Sequence, residues 1–344
     1  PGPAANTIAV VVPEGASLTR AAGVLEAAGA IRSAPAFLLF ARLFGGEPRI
    51  RAGEYEVPAR ASAAEVLHLL RAGRTLQRFV TIPEGMPSIL VQERLAASPL
   101  LTGPAPLPPE GSVLPDSYSY QRGESRAALV RRMQEAMAQT LATLWAQRKP
   151  ASAVATPEEA IILASIVEKE TGLPAERRMV AGVYTNRLRL GMPLQADPTV
   201  IYPVTKGRPL GRRILRSELR ARNGYNTYAE AGLPIGPIAN PGRESIAAVL
   251  DPAPTDALYF VARGDGGHVF AATLAEHNAN VRRWYALRRA TNAFIDSRKG
   301  EFFSAVDLYS QTAQFLVDNG IGEATDVLLI DEKLCIGCDN CEKA

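Results

Sequence analysis

Glu168 and Glu170 lie two residues apart near the end of residues 156–172, TPEEAIILASIVEKETG, and they are the side chains best placed for acid–base chemistry. The run reads as a helix with both ends marked. Thr156 followed by Glu159 forms a capping box, Pro157 suits the first turn, and Gly172 with Pro174 beyond it stops the helix. At about 100° per residue, Leu163, Ile166 and Val167 share one face with Glu170 in its middle, while Glu168 lies well round the helix. A carboxyl group centred on an apolar stripe is costly unless it is paired, protonated or facing a cleft. Its place in the last turn also sets it against the negative end of the helix dipole. Both effects raise its pKa, as a general acid requires. The alternative is a helix that frays after Val167 and leaves Glu170 solvated. Ser165, five residues before Glu170 and about 140° away round the helix, is not expected to touch it.

The segments that must position this carboxyl follow it. A second helix is predicted over 175–190, carrying Asn186 and Arg187 and ending at Gly191. Residues 193–242 read as a long loop region, polar yet poor in charge and dense in Pro, Asn and Tyr. Loops of such length inside a domain are usually functional, and amides, hydroxyls and flat rings suit a sugar-lined cleft. The alternative is an ordinary surface loop. Beyond it come a helix capped by Ser245, a hairpin over 257–270 turning at Gly264-Asp265-Gly266-Gly267, and a helix over 274–289. His268 and His277 lack partners at metal-ligand spacing, so ordinary hydrogen bonding is expected of both, with no metal and no cofactor.

Upstream, 8–12 is a strand candidate, Ser17 caps a helix over 18–28, a second helix follows Ser33, 53–57 alternates like an exposed strand, and Ser62 caps a third helix. Strand, two helices and strand make the plan of a small α/β module. A strand over 76–82 then leads into Pro83-Glu84-Gly85, an echo of Pro13-Glu14-Gly15, and an amphipathic helix is predicted over 125–148. With 344 residues, 47% hydrophobic and 21% charged, the chain has the composition of a globular protein of two or more domains. A formal charge of +3, without a long basic run, argues against nucleic acid as a partner. No apolar run is long enough to span a bilayer. The chain starts Pro1-Gly2-Pro3 without a methionine, as a fragment or processed product would.

Taken in order, LASIVEKET at 163–171, NRL at 186–188, LQADPTVIY at 194–202, YNTY at 225–228, GLPIGPI at 232–238, NPG at 240–242 and His277-Asn278 resemble the endolytic murein transglycosylase (MltG/YceG-like) family. The resemblance covers about residues 6–289. It implies an α+β protein: a LysM-like module at 6–78, a connecting region at 79–154 and a YceG-like catalytic domain at 155–290. It also implies cleavage of the bond between N-acetylmuramic acid and N-acetylglucosamine within nascent glycan strands, leaving 1,6-anhydro ends. Glu170 matches the family's catalytic glutamate and would serve as acid and then base. Asn186, Gln195, Tyr225, Asn226, Tyr228 and Asn240 are candidates for lining the glycan groove or orienting the acid. Asp197 joins them as a sugar-binding or turn-forming residue before Pro198 rather than a nucleophile. The implied partners are peptidoglycan glycan strands, with peptidoglycan synthases as further candidates. The implied location is the bacterial inner membrane, single-pass, with the body periplasmic and an anchor upstream of this chain. The competing function is a non-catalytic peptidoglycan-binding scaffold.

From about residue 291 the resemblance stops. The three cysteines, Cys335, Cys338 and Cys341, form a Cys-x2-Cys-x2-Cys motif resembling the start of a ferredoxin-type iron–sulfur segment, read here as a foreign tail over 291–344.

Overall fold

A computed structural model describes residues 1–44 and 50–298. The described residues divide into two compact units: one from Pro1–Thr81, Arg94–Ala105 and Ser117–Leu129, the other from Ile82–Glu93, Pro106–Asp116 and the described residues from Val130 on.

In the first unit, β1 (Ile8–Val12) pairs antiparallel with β2 (Gly53–Val57), with Val10 opposite Tyr55. Between them lie α1 (Leu18–Ala27) and α2 (Ala34–Phe44). Alternation along β1 sends Val10 and Val12 inward, where they meet Ala21, Ala22 and Leu25 of α1, Phe37 of α2 and Tyr55 of β2. Ser17 caps α1 by accepting from the Arg20 amide. After β2, α3 (Ala63–Ala72) begins with a full capping box between Ser62 and Glu65. Next comes β3 (Arg78–Thr81), which pairs antiparallel with β4 (Ser117–Tyr120); most of α4 (Ser88–Ala96), between them in sequence, and of α5 (Arg126–Trp145), after them, belongs to the second unit. Pro13-Glu14-Gly15 and Pro83-Glu84-Gly85 each join a strand to a helix, with their glycines at φ 68° and 70°, so the sequence echo is also a conformational one.

The second unit holds α6 (Pro157–Glu170), a 3-10 turn at Pro174–Glu176, α7 (Arg177–Arg189), α8 (Asp197–Thr205), α9 (Arg216–Arg220) and α10 (Arg243–Leu250). The hairpin of β5 (Tyr259–Ala262) and β6 (His268–Ala271) follows, then α11 (Leu274–Arg298). Helix α6 packs on α7 and α10 around a core of Leu163, Ile166, Val167, Val180, Val183, Tyr184, Ile246 and Val249. The whole is mixed α+β, as expected. The supposed loop at 193–242 contains two helices. Pro198 argued for loop, but it falls in the first turn of α8, where no amide partner is lost.

Two expectations change here. Among the described residues no helix is long and apolar enough to cross a membrane, so the expected single-pass membrane location is withdrawn. Helix α11 continues past the expected end at 289 to Arg298. The rest of the tail, including the cysteine motif, lies outside the described residues.

Candidate active site

Helix α6 is fixed at both ends. Thr156 Oγ1 accepts from the Glu159 amide at 3.2 Å, and Glu159 reaches back to the Ala155 amide at 2.6 Å, one residue before the cap. At the other end the Thr171 amide donates to the Val167 carbonyl, and Thr171 Oγ1 accepts from the Leu173 amide. The helix therefore stays regular through Glu170. Leu163, Ile166 and Val167 are fully buried, and Glu170, on the same face, is 5% exposed.

Three side chains surround this carboxyl in electrostatic terms: Tyr184 and Arg187 from α7, and Asp197, the first residue of α8. Burial is the main influence and the negative charge of Asp197 the second. Together they outweigh the Tyr184 hydrogen bond and the Arg187 charge, pushing the Glu170 pKa up to about 8. Asp197 is itself fully buried and accepts from the Tyr228 hydroxyl at 2.5 Å. Glu170 thus keeps its proton at neutral pH.

Glu168 has a different task. Its carboxylate accepts from the Gly242 amide at 2.8 Å and faces Arg177 at 3.5 Å, and Arg177 also binds Glu84 at 2.7 Å. A Cβ at position 242 would lie 2.2 Å from Glu84 Oε1, so any larger residue would push the Glu84 side chain out of the clamp. Ser165, as expected, does not face Glu170. It donates to the Ile162 carbonyl and accepts from the Ile238 amide.

Beside the acid lies a cleft of about 370 Å³ whose walls include Tyr184, Arg187, Gln195, Tyr228, Tyr259 and His277. Glu170 stands one hydrogen bond behind this wall, through Tyr184. Of the residues singled out from the sequence, Glu170, Asp197, Tyr228 and Gln195 come together here. The others are committed elsewhere. Asn186 donates to the Thr255 and Ala257 carbonyls at 2.9 and 3.0 Å. Asn226 donates to the carbonyls of Glu218, Leu219 and Ala221 and accepts from the Tyr228 amide. Tyr225 packs against Tyr202, ring centroids 5.0 Å apart. Asn240, fully buried, donates to Met86 O and Ser88 Oγ and accepts from the Val113 amide. Asn240→Ala would strand these groups and is expected to lower unfolding stability by about 2–4 kcal/mol, read by urea denaturation.

Arg187, expected on the 175–190 helix without a site role, is structural here. Its guanidinium donates to the carbonyls of Leu258, Leu194 and Pro193 and to Gln195 Oε1, so one side chain ties α7 to β5 and to the cleft loop. The available signal was its helical phase: it follows Val183 and Tyr184 by four and three residues, which turns it inward. His268 pins β6 to the 3-10 turn through Glu176, at 2.7 Å.

The family model described as the YceG-like family matches residues 10–283. The endolytic murein transglycosylase of Bacillus subtilis (strain 168) is 28% identical over 306 residues, covering 79% of this chain and 83% of that protein. The endolytic murein transglycosylase of Streptococcus pneumoniae serotype 2 is 27% identical over 323 residues, and the match spans 80% of this chain but only 58% of that protein. A 2.6 Å crystal structure of a yceG-like protein from Listeria monocytogenes superposes with a TM-score of 0.51 at 26% identity, covering 80% of this chain and 98% of that one. The family match runs through the N-terminal unit without a separate LysM module being detected, and it ends before the tail, for which no distinct ferredoxin-type segment is supported. The chain belongs to the YceG-like family of endolytic murein transglycosylases.

Proposed function

We propose that this chain is a lytic transglycosylase that cuts within peptidoglycan glycan strands, between N-acetylmuramic acid and N-acetylglucosamine, with Glu170 as the sole acid–base group. The observation that carries the reading is a buried carboxyl with its pKa raised to about 8, one hydrogen bond behind a tyrosine-lined cleft. Protonated at neutral pH, Glu170 gives its proton to the glycosidic oxygen as the bond from that oxygen to the muramic C1 breaks. The resulting carboxylate takes the proton of the muramic 6-hydroxyl as O6 bonds to C1, closing a 1,6-anhydro ring and restoring the acid. No water is consumed, and neither step calls for a cofactor. One group whose pKa lies near the working pH serves both steps. A hydrolase would need a second carboxylate to activate water or attack the sugar. Among the described residues Asp197 is the candidate near Glu170, and its bond to Tyr228 supports a role in keeping Glu170 protonated instead.

In this reading Gln195 and Tyr228 contact the glycan, and Asn186, Tyr225, Asn226 and Asn240 hold the loops that shape the groove. In the same reading residues 155–290 are the catalytic part, residues 6–78 an accompanying module built in the order β1–α1–α2–β2, and synthases candidate partners. Purified uncross-linked glycan strands, digested and analysed by mass spectrometry, are expected to yield new anhydromuramic ends. Reducing ends alone would indicate a hydrolase, and tight binding without any cleavage would indicate a scaffold.

A further inference from the structure

The cleft contains a polar group that the acid–base scheme does not use. A capping box opens α11: Thr273 Oγ1 accepts from the Glu276 amide, and Glu276 Oε2 accepts from the amides of Ala272 and Thr273. This fixes the first turn and with it His277, whose own amide donates to the Thr273 carbonyl at 3.0 Å. The imidazole is only 4% exposed, lines the cleft, and stacks on Tyr259 with centroids 5.2 Å apart and planes 25° apart. Its Nδ1 is buried and has no hydrogen-bond partner among the described residues. Buried polar atoms of native proteins are nearly always hydrogen-bonded, to protein, to water or to a ligand, so this nitrogen calls for a partner.

We propose that His277 is a further glycan-contacting residue, with Nδ1 hydrogen-bonded to a sugar hydroxyl of the strand held in the cleft. This rests on the transglycosylase reading and adds to it a binding residue from the far end of the domain's sequence. A hydroxyl is the fitting partner because it both donates and accepts, so it satisfies Nδ1 in either neutral tautomer. The neutral form prevails, since burial and the neighbouring Arg187 charge hold the ring below the ordinary imidazole range. The Tyr259 ring on which His277 stacks also carries the Arg187 guanidinium 5.2 Å from its centroid, so the three side chains form one rigid wall.

The test measures binding separately from chemistry. Uncross-linked glycan strands are titrated calorimetrically into the Glu170→Gln protein and into the same protein carrying His277→Phe or His277→Asn, with melting temperatures taken as a folding control. Phenylalanine keeps a stacking ring but has no polar atom, so Kd is expected to rise about tenfold. Asparagine can place an amide near the position of Nδ1 and is expected to recover binding to within about threefold of the parent. Unchanged binding with phenylalanine, or equal weakening by both substitutions, would overturn the role of Nδ1 while leaving the transglycosylase reading intact. Absence of strand binding by Glu170→Gln itself would bring down that reading, and the His277 proposal with it.

Discussion

Glu170→Gln is expected to abolish turnover while leaving strand binding in place. Glutamine fills nearly the same volume and can still meet Tyr184, so the buried end of α6 has no reason to rearrange. It cannot give up a proton to a leaving oxygen or take one from a hydroxyl. General acid–base assistance is worth about 10²- to 10⁴-fold in typical enzymes. Because one group is proposed for both steps here, the loss should reach the top of that range, about 10⁴-fold in kcat, read as muropeptides released per enzyme. Glu168→Gln provides the contrast. That residue is two positions away but turned toward Gly242 and Arg177, so its substitution should leave kcat within about tenfold. Comparable losses from both substitutions would mean that the clamp, and not the acid, is what the chemistry needs.

The same substitution should make the protein more stable, by an amount that depends on pH. In the unfolded chain Glu170 ionises near the model-peptide value of about 4.3. In the folded chain it holds its proton up to about pH 8, because burial and the charge of Asp197 both resist ionisation. Between these limits the folded protein binds a proton that the unfolded chain has released. The contribution of this group to stability is therefore fully present below about pH 4 and is lost as pH rises toward 8. Glutamine does not titrate. The variant should gain on the wild type from about pH 5 upward, reaching on the order of a few kcal/mol at pH 8. Urea denaturation of both proteins at pH 5 and pH 8 measures it, and an equal difference at the two pH values would contradict the raised pKa. The gain in stability alongside lost activity is the expected trade at a catalytic acid held where its charged form is disfavoured.

How far the site could be read in advance depended on whether a residue sat in a periodic segment. Helix α6 announced itself through its cap and its apolar stripe, and the phase of that stripe separated Glu170 from Glu168. The capped helices of the first unit and the glycine-rich hairpin turn were legible for the same reason. The loop residues were not. Asn226 and Asn240 matched a sugar-binding composition, yet each spends its amide on backbone groups that the surrounding segments leave unpaired. Composition says which groups can bond and nothing about where an aperiodic chain points them, and buried backbone claims such amides first. Helix α8 was masked by Pro198. Arg187 and His277 matter through contacts made across many residues, from α7 to β5 and from α11 to Tyr259, and no local pattern encodes those.

The central claim is that Glu170 carries its proton at neutral pH inside the folded protein. Carbon-13 labelling of the glutamate side chains, with the Glu170 signal identified by its disappearance in Glu170→Gln, allows that carboxyl to be titrated directly by nuclear magnetic resonance. The account predicts a midpoint of about 8. A midpoint near 4.3, where a solvated glutamate titrates, would contradict it.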